Sequence, residues 1–164
     1  MVWKVGEGDA YALLSALLVE AWGVEPLPEI ARTREGKPYF PDRPDLQFSL
    51  SHSGSLSLCA LADTPVGADI ELVRPRSLKL PRYALSDWEY EWYESRGSRW
   101  EDFYTLWTLK EARVKCTGEG LFRRPVREVE VPLLEPGAEL AREGFRFASL
   151  AGEGWRGGLC RRDP

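Results

Sequence analysis

The sequence has few residues that could form a structural zinc site or a disulfide framework. Its 164 residues include three cysteines and one histidine, and no two cysteines stand in a CxxC spacing. A structural zinc ion needs about four Cys or His ligands, and a disulfide framework needs paired cysteines. We therefore expect Cys59, Cys116 and Cys160 to be buried, reduced thiols.

An excess of positive charge and a long hydrophobic run are also missing. The 22 Lys and Arg residues against 26 Asp and Glu give a net charge of -4, without the electrostatic footprint of a nucleic-acid-binding protein. The longest apolar run, 10–22, contains Ser15 and Glu20, is too short to span a bilayer, and follows no signal-peptide pattern. We expect a soluble, cytoplasmic protein with no nucleic-acid or membrane partner, in which a local basic patch holds any anionic ligand.

The chain does have enough apolar residues to bury a core, since 43% are hydrophobic and 12% are aromatic. Its patterning predicts a strand, a helix and strands, followed by helices and strands again. This order indicates an α+β protein with two related halves, residues 1–73 and 74–164, packed as one compact unit.

The N-terminal half opens with an alternating strand at 2–5. A helix over 10–22 is predicted next, with Asp9 as its N-cap and Gly23 as its end. This helix is apolar on nearly every side, so we expect it to be buried. The proline-rich loop over 25–44 is a candidate ligand rim because it carries a basic segment, Arg32, Arg34 and Lys37.

Alternating apolar and hydroxyl residues around a turn at Gly54 predict two strands within 46–62, and a third strand over 66–73 completes a small antiparallel meander. A basic, proline-containing link over 74–82 opens the C-terminal half. There, Ser86 with Glu89 three residues later forms a capping-box pattern. The expected helices are 86–95 and 99–117, and the expected strands are 127–134, 145–150 and 155–160.

Two carboxylates lie two residues apart on the strand over 66–73. Strand geometry sends Asp69 and Glu71 to one face and the apolar Ala68 and Ile70 to the other. Two negative charges so close together favour a cation between them. A solvated strand end with two unpaired charges explains the pattern as well, so the spacing leaves both interpretations open.

The helix over 99–117 carries charges among apolar and aromatic residues. Lys110, Glu111 and Lys115 interrupt its apolar surface, and buried charges must be paired, hydrogen-bonded or bound to metal. Glu111 and Lys115 are four residues apart on one face of the helix. The pattern fits an intrahelical salt bridge, and it also fits a third carboxylate that joins Asp69 and Glu71.

Three such carboxylates would form a hard oxygen-ligand set of the kind that binds Mg²⁺ together with phosphate oxygens. Lys110 and Lys115 beside that metal would suit a phosphate or pyrophosphate, which indicates phosphoryl transfer. Ser51 and His52 could donate to phosphate oxygens, whereas a serine hydrolase is disfavoured because no G-x-S-x-G motif occurs. The basic patch near the end of this helix comprises Lys110, Arg113, Lys115, Arg123 and Arg124.

Four blocks of the sequence stand in an order and spacing typical of one family. The blocks are 36–38 (GKP), 48–53 (FSLSHS), 65–71 (PVGADIE) and 103–115 (FYTLWTLKEARVK), followed by 118–121 (GEGL). In these blocks the chain resembles the Sfp-type branch of the 4'-phosphopantetheinyl transferase superfamily. The resemblance implies a 4'-phosphopantetheinyl transferase-like α+β fold with two similar halves in pseudo-twofold arrangement, the N-terminal half being shortened.

By this resemblance the chain would move the phosphopantetheine arm of coenzyme A to a serine of an apo acyl or peptidyl carrier protein and release adenosine 3',5'-bisphosphate. This is a holo-[acyl-carrier-protein] synthase type of activity. Asp69, Glu71 and Glu111 would hold Mg²⁺ on the pyrophosphate of coenzyme A. Glu89 matches an acidic position of the family, and the two halves in one chain would make a monomer sufficient.

The resemblance also implies roles for the other site residues. Lys37 would contact the nucleotide part of coenzyme A, and Ser51 and His52 would contact its phosphates. Glu111 would take the proton of the acceptor serine, directly or through a metal-bound water. Lys115 would stabilise or protonate the departing phosphate. The basic patch with nearby aromatic residues is the candidate docking surface for an acidic carrier.

The sequence departs from the family pattern at two points. Ser49 stands where Asn is usual, and the sequence begins close to the helix over 10–22, before which this branch commonly has a basic segment. We expect coenzyme A to bind more weakly, or Arg32 and Arg34 to substitute for that segment. Two other functions are kept as alternatives: a non-catalytic coenzyme A or carrier-binding module derived from the family, and a Mg²⁺-dependent phosphohydrolase.

Overall fold

A computed structural model of the chain describes residues 1–119 and 125–163. The elements, in chain order, are β1 (Val2–Glu7), α1 (Ala10–Trp22), β2 (Ala31–Arg32), β3 (Pro38–Tyr39), β4 (Gln47–Ser53), β5 (Leu56–Ala62), β6 (Val66–Leu72), α2 (Leu80–Ala84), α3 (Asp87–Ser95), α4 (Trp100–Thr117), β7 (Glu139–Arg142), β8 (Phe145–Gly152) and β9 (Trp155–Arg162). The predicted α+β class is confirmed. The pseudo-twofold relation between the halves stays a prediction.

The longer strands form two antiparallel sheets. The first sheet has the order β1-β5-β4, and the second has the order β6-β9-β8-β7. Alternate residues of β5 point to opposite faces of the first sheet. Leu61 packs with Leu14 and Leu18 of α1 on one face. Leu58 packs toward the second sheet on the other, so the sheets lie face to face between α1 and α4.

Helix α1 has the predicted ends but not the predicted burial. Asp9 Oδ1 accepts the amide of Tyr11 at 2.6 Å, and Gly23 ends the helix in the left-handed conformation with φ 63°. One face is buried in the first sheet. The opposite face leaves Tyr11, Val19 and Trp22 between 37% and 42% exposed. The expectation that the whole helix is buried is therefore wrong, because only one sheet covers it.

Helix α4 lies unusually close to the second sheet because two glycines stand beneath it. A Cβ at Gly67 of β6 would lie 1.9 Å from the carbonyl oxygen of Ala112. A Cβ at Gly158 of β9 would lie 2.5 Å from the carbonyl oxygen of Thr108. No real side chain fits in that space, so glycine at these positions lets the helix backbone approach the sheet and brings Glu111 over β6.

The neighbouring edge strands β4 and β6 are joined by side chains. The hydroxyl oxygens of three alternate serines of β4 accept hydrogen bonds from three alternate main-chain amides of β6, with N–O distances of 2.9, 3.3 and 3.1 Å. The pairs are Ser49 with Ala68, Ser51 with Ile70, and Ser53 with Leu72. We call Ser49, Ser51 and Ser53 the serine row. It fixes which residues of the two strands face each other.

The third strand of the predicted meander lies in a different sheet. β4 and β5 form the predicted hairpin, but β6 pairs with β9 and not with β5. The physical reason is that β4 occupies one edge of β5 and β1 occupies the other. Residues 66–73, which the sequence placed with the N-terminal half, are therefore hydrogen-bonded into the sheet of the C-terminal strands.

The C-terminal half follows the prediction except at three segments. Helices α3 and α4 and strands β8 and β9 are confirmed, whereas α2 and β7 were missed. The expected strand over 127–134 is wrong, since Val126–Glu128 is a 3-10 turn and the rest is irregular. Pro132 has no amide hydrogen to donate to a β-ladder. The carbonyls of Val126 and Val129 accept hydrogen bonds from the ammonium of Lys110 instead of from a neighbouring strand.

All three cysteines are free and buried, as predicted. Within residues 1–119 and 125–163, the helices are too short or too polar to cross a membrane.

Candidate active site

A pocket of about 490 Å³ lies between α1, the loop before β3, β4 and α4. It is the place where most of the predicted site residues meet. Those that line it are Lys37, Ser51, His52, Glu111 and Lys115. Tyr11 and Arg32 stand at its rim, where Arg32 donates to the Tyr11 hydroxyl at 2.9 Å. The segment predicted as a proline-rich loop, which contains the short strands β2 and β3, therefore forms part of the pocket wall.

The carboxylates of β6 face the serine row. Ser51 Oγ donates to Asp69 Oδ1 at 2.8 Å, and Ser53 Oγ donates to Glu71 Oε2 at 2.9 Å. Asp69 is only 5% exposed. The two side chains share one face of the strand, as the spacing predicts. A solvated strand end is excluded for Asp69, because a buried carboxylate needs donors or cations around it.

Lys115 supplies a positive charge beside Asp69. Its Nζ lies 2.8 Å from Asp69 Oδ1 and donates to the carbonyl of Ala68 at 3.1 Å. The ion pair thus joins α4 to β6, rather than being the intrahelical pair with Glu111 that the spacing allowed. One third of the Lys115 side chain stays exposed, so the ammonium also faces the pocket.

Glu111 is a buried carboxylate at the pocket wall. It is 7% exposed, and its Oε1 has no hydrogen-bond partner. Burial, and next the negative charge of Asp69, raise the pKa of Glu111 to about 7, while Lys115 opposes this effect. A carboxyl with such a pKa can accept or release a proton near neutral pH, as a general base requires.

Two of the predicted metal-binding carboxylates, Asp69 and Glu111, have buried oxygens whose chemistry suits a divalent cation. Asp69 Oδ2 and Glu111 Oε1 are both buried without a hydrogen-bond partner, and carboxylate oxygens are the ligands that Mg²⁺ prefers. The negative charges of Asp69 and, to a smaller extent, Glu71 contribute to the raised pKa of Glu111. In the part of the chain that the structure describes, however, no three acidic, His or Cys side chains are grouped tightly enough to hold an ion.

The ammonium of Lys37 binds the main chain beside the pocket. Its Nζ donates to the carbonyls of Val66 at 3.3 Å and Cys116 at 3.0 Å. Burial lowers the pKa of Lys37. The Cys116 carbonyl belongs to the last turn of α4, where carbonyls lack helical partners and attract cations. Together with Lys115 and the serine row, Lys37 covers the outer edge of β6.

The placement of Lys110 contradicts its predicted contact with coenzyme A. Its side chain is fully buried, and its Nζ lies 2.8 Å from Glu89 Oε2. It also donates to the carbonyls of Val126 and Val129 at 3.2 and 2.6 Å. No part of this ammonium faces the pocket. Lys110 and Glu89 form a structural ion pair between α4 and α3, and the Glu89 carboxylate also accepts the amide of Ser86 at 2.8 Å.

The predicted basic patch is only partly described. Arg113 donates to the carbonyl of Glu130, and its guanidinium lies 5.1 Å from the ring centre of Phe145. Its side chain is 18% exposed, so most of the charge serves contacts within the fold. Arg123 and Arg124, like the end of the 118–121 block, lie outside the described residues.

Sequence reasoning missed the part that Ser53 plays. The signal was present, because Ser51 and Ser53 have the same spacing of two as Asp69 and Glu71. Facing strands with matched spacing place such side chains opposite each other. The pattern could not be used because the sequence does not show that β4 and β6 are neighbours. The contact of Tyr11 with Arg32 gave no signal in the sequence.

Comparisons with known proteins identify the family of this chain. The family model for the 4'-phosphopantetheinyl transferase superfamily matches residues 65–157, which is more than half of the chain and includes Asp69, Glu71, Glu111 and Lys115. The chain belongs to the 4'-phosphopantetheinyl transferase superfamily.

Three curated relatives illustrate the similarity. A "4'-phosphopantetheinyl transferase" of Bacillus subtilis is 34% identical over 112 residues, 66% of this chain and 50% of the relative. The transferase Sfp of Bacillus subtilis strain 168 is 40% identical over 88 residues, 52% of this chain and 39% of the relative. The transferase AcpT of Salmonella typhimurium is 38% identical over 100 residues, 58% of this chain and 52% of the relative. The chain spans about half the length of the curated relatives that it matches.

Proposed function

We propose that this chain transfers the phosphopantetheine arm of coenzyme A to a serine hydroxyl of an apo acyl or peptidyl carrier protein, with Mg²⁺ as cofactor. The observation that carries the proposal is the meeting of Glu111 and Lys115 at one wall of the pocket, where Lys115 is also ion-paired to the buried Asp69. The names of the three relatives, all 4'-phosphopantetheinyl transferases, support the same reaction class.

Binding of coenzyme A is supported by the polar groups of the pocket wall. His52 is exposed there, and Arg32 and Lys37 bring positive charge to the same wall. Cations and N–H donors are the groups that bind phosphates in proteins. Ser51 already donates its proton to Asp69, so a phosphate contact by its hydroxyl would require that bond to be given up.

The proposed reaction is an in-line displacement. The oxygen of the acceptor serine attacks the β-phosphorus of coenzyme A, and its proton passes to Glu111. The bond between the β-phosphorus and the bridging oxygen breaks, and its electron pair leaves with adenosine 3',5'-bisphosphate. Lys115 stabilises the negative charge on that phosphate. Mg²⁺ held by Asp69, Glu71 and Glu111 would offset the charge of the pyrophosphate.

The test is to incubate the chain with coenzyme A, Mg²⁺ and an apo carrier protein, and to measure the intact mass of the carrier. We expect the carrier to gain the phosphopantetheine arm. Glu111→Gln should slow this gain by about 10²- to 10⁴-fold, because it removes the base. Glu101→Gln is the matched control, since Glu101 is an exposed residue in the first turn of the same helix.

Each other outcome points to a different function. Coenzyme A binding without any gain in carrier mass would favour a non-catalytic binding module. Breakdown of coenzyme A in the absence of carrier would favour a phosphohydrolase. Normal transfer by the Glu111→Gln variant would remove Glu111 from the role of base.

A further inference from the structure

Two members of the serine row make a second contact that is directed at the site. Each serine accepts a main-chain amide of β6, as described above. Ser51 and Ser53 also donate their hydroxyl protons to Asp69 and Glu71, at 2.8 and 2.9 Å. Ser49 provides an internal comparison, because its described bond is with the amide of Ala68 alone.

We propose that Ser53, and with it Ser51, is a positioning residue that holds a carboxylate of β6 ready for a divalent cation. The inference rests on the proposed function, in which Asp69 and Glu71 bind Mg²⁺. It assigns these hydroxyls a function within the protein, and for Ser51 this function excludes a simultaneous donation of the same proton to coenzyme A.

The geometry explains how a serine can fix a carboxylate. The amide of Leu72 occupies one lone pair of Ser53 Oγ at 3.1 Å, which limits the directions in which the hydroxyl proton can point. That proton engages Glu71 Oε2 and leaves Oε1 free of this bond. A glutamate side chain held in this way has less conformational freedom to lose when an ion binds. Hydrogen bonds to ligating groups commonly tune metal affinity in this manner.

Ser53 should matter more than Ser51. Asp69 has a second partner, since Lys115 lies 2.8 Å from the same oxygen that Ser51 contacts. Removal of the Ser51 hydroxyl therefore leaves Asp69 anchored. Glu71 is only half-buried, and the described bond that restrains its carboxylate comes from Ser53.

The experiment measures Mn²⁺ binding to the full chain by titration calorimetry, with Mn²⁺ as the probe for the Mg²⁺ site. We expect Ser53→Ala to weaken binding by about tenfold or more, the range found for groups that orient metal ligands. Ser51→Ala should give a smaller loss. Ser49→Ala is the matched control: it removes one acceptor of a β6 amide, as Ser53→Ala does, and should leave Mn²⁺ affinity within about twofold of the starting chain.

Unfolding by urea separates positioning from a merely structural effect. Ser49→Ala and Ser53→Ala should both stay folded well below their unfolding midpoints, so a difference in Mn²⁺ affinity measured without urea does not come from unfolding. Equal Mn²⁺ affinity in these two variants would overturn the proposal. Absence of Mn²⁺ binding to the starting chain would overturn both the positioning role and the metal-dependent reaction. Weaker binding in Ser53→Ala, in a chain that modifies no carrier, would support positioning and reject the proposed function.

Discussion

Replacement of Lys110 by Met should destabilise the fold strongly. Lys110 and Glu89 are fully buried and 2.8 Å apart, and burial lowers the pKa of Lys110 while Glu89 opposes this effect. The variant leaves the Glu89 carboxylate without its counter-charge and removes the donor of two main-chain carbonyls. Loss of one partner of a buried ion pair typically costs about 3–5 kcal/mol. We therefore expect the free energy of unfolding to fall by about 4 kcal/mol.

Urea unfolding followed by tryptophan fluorescence measures this loss, and the seven tryptophans supply the signal. A thermal midpoint about 10 °C lower would correspond to it. Lys4→Met is the control, because Lys4 forms an ion pair of 2.6 Å with Glu20 in which both side chains are exposed. Such pairs contribute less than about 1 kcal/mol.

A double variant tests the cause of the loss. Glu89→Gln removes the negative charge that Lys110→Met leaves without a counter-charge, and it keeps an oxygen that can accept a hydrogen bond from the amide of Ser86. The double variant Glu89→Gln with Lys110→Met should therefore be more stable than Lys110→Met alone. If Lys110→Met costs no more than Lys4→Met, or if the double variant is the less stable of the two, the reasoning about the buried pair is refuted.

Two further predictions concern the site and the helix above it. The pKa of Glu111 is raised from 4.5 to about 7, so between these pH values the folded state keeps a proton that the unfolded chain releases. The stability that this proton contributes is present below about pH 4.5 and is lost as the pH rises to about 7. In metal-free urea titrations, the free energy of unfolding of Glu111→Gln should rise by about 3 kcal/mol relative to that of the unaltered chain between pH 4 and pH 8. A difference between the two chains that does not change with pH would contradict the raised pKa. Gly67→Ala should cost about 3 kcal/mol in the same assay at pH 7, because the new Cβ meets the Ala112 carbonyl at 1.9 Å. Gly6→Ala meets only the end of the Leu13 side chain at 3.1 Å, and equal losses in the two alanine variants would show that close backbone approach is not what limits position 67.

Local features of the fold could be predicted from the sequence, whereas sheet membership could not. The cap at Asp9, the turn at Gly54 and the capping pattern of Ser86 with Glu89 each depend on residues a few positions apart. The pairing of β6 depends on which strand edges are free. β1 lies 49 residues or more before β5 in the chain and yet occupies its outer edge, a contact that no local pattern encodes.

The same distinction applies to the candidate site. Asp69 with Glu71, and Glu111 with Lys115, were found because each pair lies on one strand or one helix. The partners of the lysines depend on distant backbone. Lys110 donates to main-chain carbonyls 16 and 19 residues away. Because a long side chain can reach many such groups, its partners are determined only in the folded chain.

The covered edge of β6 has a consequence for how variants of this site are studied. An uncovered strand edge is a template for pairing with another chain, and proteins normally protect it. Here the protection comes from the serine row together with Lys37 and Lys115. Substitutions made to remove chemistry would therefore also open a surface for self-association. An inactive variant at these positions should be judged together with its state of aggregation, because soluble oligomers would remove the site without any change in its chemistry.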